Sequence, residues 1–107
     1  MLSRNAQEMA AEIAGHDWSD APYRLDRAGH DRNSDTKRTD DALSSDETDR
    51  VRWNVVMVTA QVLLLQDPGM DIVEYAIACG LPRRLTHNSN GKPSGGLSAG
   101  LRTPAQV

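Results

Sequence analysis

Two copies of Ala-Gly-His-Asp, at 14–17 and 28–31, are the first residues along the chain whose types suit chemistry. His16, Asp17, His30 and Asp31 would offer nitrogen and oxygen ligands to a divalent cation. Their spacing matches no compact metal motif, and the stretch between them has no framework to hold a coordination geometry, so they read as two solvated turns. Cys79 is the single cysteine, which excludes an internal disulfide, and His87 lies near enough in sequence to act as its base. No third residue orients such a pair, and Cys79 falls on the apolar side of a short helical pattern, where it reads as a small core residue. Gly91-Lys92-Pro93-Ser94-Gly95-Gly96 has the residue types of a phosphate loop without its spacing, its preceding strand or its following helix. Carboxylates are many, but they crowd into a polar stretch where nothing desolvates them to tune a pKa. The expectation is a protein that is not an enzyme and needs neither metal nor cofactor.

Binding chemistry is better represented. From Ile72 to His87 the chain is laid out like a helix-turn-helix, with Ala76 and Gly80 at the usual small-residue and turn positions. Arg83, Arg84, Thr86 and His87 would then open a DNA-reading helix. Asn88-Ser89-Asn90-Gly91 would end that helix after about two turns, and the apolar anchor Leu85 is one place out of register. DNA binding is therefore the alternative reading. The net charge of −3 excludes a basic nucleic-acid coat and falls short of an acidic DNA mimic. Charge is uneven, however: residues 1–50 carry twelve acids and seven bases, and residues 51–107 three acids and five bases, so an acidic front leads to a mildly basic tail.

These residues must be positioned by a small amount of apolar material. The chain has 107 residues, enough for one small domain, with 38% hydrophobic residues, 4% aromatics and no Phe, which makes for a thin core. The spacing predicts an all-α fold. Residues 3–15 form a short N-terminal helix, with Ser3 as cap, Ala6, Met9, Ala10 and Ile13 at helical intervals, and Gly15 as a left-handed stop. Residues 16–43 are a polar, charged linker. Residues 44–82 are a helical hairpin core: a capping box at Ser44 and Glu47 starts a long helix to about Gln66, Asp67-Pro68-Gly69 stops it, and a shorter helix runs from Asp71 through Cys79 until Gly80 and Pro82 end it. Residues 83–107 form a basic, irregular Gly/Ser/Pro tail.

The long helix carries the functional signal. On a helical wheel Val51, Val55, Val58, Val62 and Leu65 make one stripe, and Trp53, Met57, Ala60 and Leu64 a second, nearly opposite. A helix on the surface of one domain needs one such stripe. Leaving five large apolar side chains in water forfeits about 1.5–3 kcal/mol each, so the second stripe calls for a protein partner or a second copy of the chain, or else for the N-terminal helix to fold back and close it. Both stripes together, Val51, Trp53, Val55, Met57, Val58, Val62, Leu64 and Leu65, are the candidate contact residues, with Trp53 the expected anchor.

The run Arg52-Trp53-Asn54-Val55-Val56-Met57-Val58-Thr59-Ala60-Gln61-Val62-Leu63, closed by Asp67-Pro68 in a chain with ten arginines and two lysines, resembles small accessory proteins of actinobacterial phages and mobile elements. The likeness covers residues 44–82 and brings no catalytic residue with it. It implies an accessory or assembly component, in the host cell or in a virion, that docks on protein. Residues 1–15 lack the apolar run of a secretory signal, and Val55 to Leu65 is about half the length a bilayer needs, so a soluble, intracellular protein is expected, with no membrane partner.

Overall fold

The computed structural model describes residues 1–23, 25 and 41–102, and among them the fold is all-α. Five helices follow in order: α1 (Arg4–Gly15), α2 (Ser45–Gln66), α3 (Ile72–Ala78), α4 (Arg83–Thr86) and α5 (Gly95–Ala99), with a 3₁₀ turn at Ala21–Tyr23. None of these helices is long and apolar enough to cross a membrane.

The helix starts are those the capping residues dictate. Ser3 accepts the Ala6 N–H at the head of α1, and Asp71 accepts the Glu74 N–H at the head of α3. At α2 the capping box is complete: Ser44 Oγ accepts from Glu47 N at 3.1 Å, and Glu47 Oε1 accepts from Ser44 N at 3.0 Å. That bond from the Ser44 backbone holds the Glu47 carboxyl below its ordinary pKa. The stops differ more. Gly80 has the left-handed φ expected of a terminator, whereas Gly15 does not: α1 ends on His16 in an extended conformation, so the left-handed stop at Gly15 is corrected. The Ile13 carbonyl there accepts both the His16 N–H and the Trp18 indole N–H, the latter at 3.0 Å. The indole thus takes the place of a glycine cap.

The core is broader than a hairpin. α3 packs more extensively on α1 than on α2, so α1, with Ala6, Ala10 and Ile13 buried, completes a three-helix layer. On α2 the buried residues are Val56, Ala60, Leu63 and Leu64, flanked by half-buried Trp53 and Met57. The core-facing arc is thus one continuous face that includes Val56 and Leu63, which belong to neither stripe of the wheel. The polar linker also begins differently from expectation. Trp18 packs on the core and Asp20 is buried, and the Leu43 N–H donates to the Ser19 carbonyl at 2.6 Å, which brings the two ends of the intervening segment together. His30 and Asp31 lie outside the described residues.

The expectation of an irregular tail is corrected over 83–102. After α4, His87 and Pro93 form an isolated antiparallel bridge across a turn, with Gly91 at φ +83°. Ser94 caps α5, which carries Leu97, fully buried, and is followed by buried Leu101. The Gln61 side-chain amide clasps the Arg102 backbone in both directions, donating to its carbonyl at 2.9 Å and accepting its N–H at 2.8 Å. A Cβ at Gly100 would overlap Met57 Cε, so the absence of a side chain there lets the segment lie against α2. With only two leucines in a glycine- and serine-rich stretch, this segment lacks the helical periodicity that would reveal it. Contacts forty residues away hold it in place.

Candidate docking groove

Of the eight candidate contact residues, the structure separates two groups. Leu64 is buried, and Trp53 and Met57 pack on the core from its edge, so that stripe is interior to the domain and Trp53 is withdrawn as the anchor of a free face. The opposite stripe stays outside. Val51 and Val55 are half-buried, whereas Val58 is 69%, Val62 54% and Leu65 47% exposed. Apolar residues this exposed, in a row on one helix, form a patch rather than isolated surface positions.

α1 turns this patch into a groove. Gly80 lies against Ala14 near the end of α1 and against Arg52 near the start of α2, which sets the two helices side by side. Between them runs an open groove of about 840 Å³. Met9, Val58, Val62 and Leu63 supply apolar lining, and Asn5, Glu8, Glu12, Thr59 and Gln66 are the polar residues along it. Met9 is itself 41% exposed. No lysine or arginine lines the groove. Glu8 pairs with Arg4 at 3.1 Å on the outer side of α1. Glu12 has no ion pair among the described residues. Met9, Glu8 and Glu12 are the functional candidates that a reading of the long helix alone misses. Their signal was the placement of two acids, i and i+4, beside the one large residue of α1 that does not fit a buried position.

The DNA-reading set is not presented as one surface. α4 is a single turn of four residues, where a recognition helix needs several. Thr86 is fully buried, with Oγ1 2.7 Å from His87 Nδ1. Arg84 turns back to α2, with Nη1 3.2 Å from Asp46 Oδ1 and Nη2 on Asp49, leaving Arg83 exposed. Asp49 also holds Arg52 Nη1 at 3.5 Å. This small network fastens α4 to the first turns of α2. Because Arg84 and Asp46 are about half exposed, Arg84→Ala is expected to lower stability by no more than about 1 kcal/mol, measured by urea denaturation. A larger loss would mean that α4 depends on the network for its position.

No family model, curated protein or solved structure matches the chain. The remaining candidate residues are judged by their surroundings alone. His16 stacks at a tilt on Trp18, ring centroids 4.4 Å apart, and Asp17 Oδ1 accepts both the N–H and the hydroxyl of Ser19. Among the described residues no three metal-ligating side chains come together. Cys79 is fully buried, and burial pushes its thiol up to about 11, far from the depressed value of a reactive thiolate. Gly91 and Lys92 sit in the turn before α5 and form no phosphate cradle with it: Ser94, the residue nearest the helix start, uses its hydroxyl on Gly96 N at 3.2 Å.

Proposed function

We propose that this chain is a small non-enzymatic docking protein that binds another protein through the α1–α2 groove. The observation that carries the reading is the exposure of Val58 and Val62 in the groove, with Leu65 continuing the row beyond its lining, on a helix whose other face is used by the core. Covering these three side chains and Met9 removes from water roughly half the surface of each, on the order of 1 kcal/mol apiece. The other exposed large hydrophobics among the described residues, Met1, Tyr23, Leu25 and Ile77, lie on neither α1 nor α2. The likeness of residues 44–82 to small phage and mobile-element proteins makes assembly, in a host cell or a virion, the context proposed for the docking.

A photoreactive benzoyl-phenylalanine placed at Val58 tests the reading in cells expressing the protein. It is expected to give a discrete crosslinked product, lost when Val62→Glu is added, while the same probe at exposed Asn90 gives none. Equal products from both positions, or none from Val58, would overturn it. Val62→Glu is expected to keep its helical circular dichroism and to change stability by less than about 1 kcal/mol, since the new carboxylate stays in water.

A further inference from the structure

The apolar floor of the groove is too small to hold a partner by itself. Met9, Val58 and Val62 are its open apolar side chains, with Leu63 buried beneath them, and three partly exposed side chains do not offset the costs of association. Binding of useful strength needs the polar edge, and that edge is acidic, with Glu8 and Glu12 one turn apart on α1 and no cation in the lining. We infer, on the basis of the docking reading, that the occupant is an amphipathic helix whose apolar face meets Met9, Val58 and Val62 and whose lysines or arginines lie along α1 against Glu8 and Glu12. Val58 to Gln66 spans about 12 Å of helix axis, a match for two to three turns of an incoming helix with apolar residues at i, i+3, i+4 and i+7.

Two other occupants are disfavoured by what the chain contains. Residues 24, 26–40 and 103–107, which lie outside the description, include no Leu, Ile, Met, Phe or Trp and only Val107 as a large aliphatic, so they have nothing with which to fill the floor. A second copy brings a net charge of −3 to an acidic edge. The arginines of its α2 are already committed, Arg50 to Asp46 and Arg52 to Asp49, and its exposed Arg83 stands on the single turn of α4, too short to lay an apolar face along the groove. Charge complementarity therefore selects a different, basic chain.

The test uses three fluorescein-labelled 18-residue helical peptides that share one leucine face and differ in filling the rest with Lys, Gln or Glu. Binding is read by fluorescence anisotropy at about 50 and 200 mM salt. The Lys peptide is expected to bind at least about tenfold tighter than the Gln peptide, and the Glu peptide weakest. Glu8→Gln with Glu12→Gln is expected to erase the Lys-over-Gln preference while leaving the Gln peptide's own binding. Val62→Glu is expected to abolish binding of both. That variant adds a negative charge, so diffuse attraction of a cationic peptide would grow rather than vanish. Lys and Gln peptides that bind equally, both sensitive to Val62→Glu, would overturn the basic occupant and leave the docking reading standing. No binding of any peptide to a monomeric protein would overturn both. A dimer in sedimentation velocity that Val62→Glu splits would overturn the inference in favour of a second copy.

Discussion

Replacing Leu97 with alanine is expected to destabilise the protein by about 2–5 kcal/mol, the usual range for emptying a fully buried leucine site. Leu97 is 0% exposed, yet it sits on a five-residue helix that begins with two glycines and has little helical propensity of its own. The helix exists because Leu97 and Leu101 are inserted against α2 and α3, not the reverse. Removing the isobutyl group therefore withdraws both the buried area and the reason for α5 to form. For a small domain with total stability of the usual 5–15 kcal/mol, this is a large share. Urea denaturation followed at 222 nm should show a lower midpoint with an unchanged slope, since the exposed area on unfolding changes little. Val58→Ala, in the open groove, should shift the midpoint hardly at all. A Leu97→Ala loss below 1 kcal/mol would mean that α5 is not part of the cooperative core.

A comparably large loss of stability is expected on raising the pH from 9 to 11. Cys79 and Tyr75 are both fully buried, and burial raises both: the thiol from 9.0 to about 11, and the phenol above its ordinary 10.0. The unfolded chain releases the Cys79 proton near pH 9, whereas the folded protein keeps it until about 11. Between these values the unfolded state binds fewer protons, so stability falls as pH rises, by about 1.4 kcal/mol per pH unit for each group in its window. The stabilisation is complete below pH 9 and, for the thiol alone, on the order of 2–3 kcal/mol smaller by pH 11. Tyr75 adds to the loss above pH 10, despite its 2.8 Å hydrogen bond with Thr59 Oγ1. Cys79→Ala should flatten the 9–10 part of the profile and reduce the slope between 10 and 11 to the share of Tyr75. A profile unchanged by that variant would show that the thiol titrates normally in the folded state.

The parts of this fold that are local in sequence were legible. Ser3, Ser44 with Glu47, and Asp71 announce three helix starts, and Asp67-Pro68-Gly69 and Gly80 announce two ends, because capping is decided within four residues. The all-α class follows from them. What stayed hidden depends on distant partners. Leu97 and Leu101 look like strays in a polar tail until Gln61 and Met57 are placed beside them. The same segment lies against Met57 and Gln61 on the side of α2 that seemed to need a second protein, where Leu64 is buried and Trp53 and Met57 are half-buried at the edge of the core. The exposed stripe survived because nothing in these residues is left to cover it. Its acidic edge on α1 was illegible from α2 alone, since the wheel of one helix says nothing of which neighbour lies beside it.

The Gln61–Arg102 clasp, with Leu97 and Leu101 beside it, gives the molecule a time order. During synthesis α1, α2 and α3 emerge first, and domains fold from the N-terminal side as they appear. Yet until the segment around 97–102 has followed, the Trp53 and Met57 side of α2 has no cover. For that interval the nascent chain shows apolar surface on both sides of one helix, the groove and the unfinished core together. The same late, long-range closure slows folding relative to a bundle with only local contacts. On the docking proposed above, a basic partner helix present at that moment would meet two apolar faces. The acids of α1 would mark one of the two and direct it to the groove, away from the unfinished core.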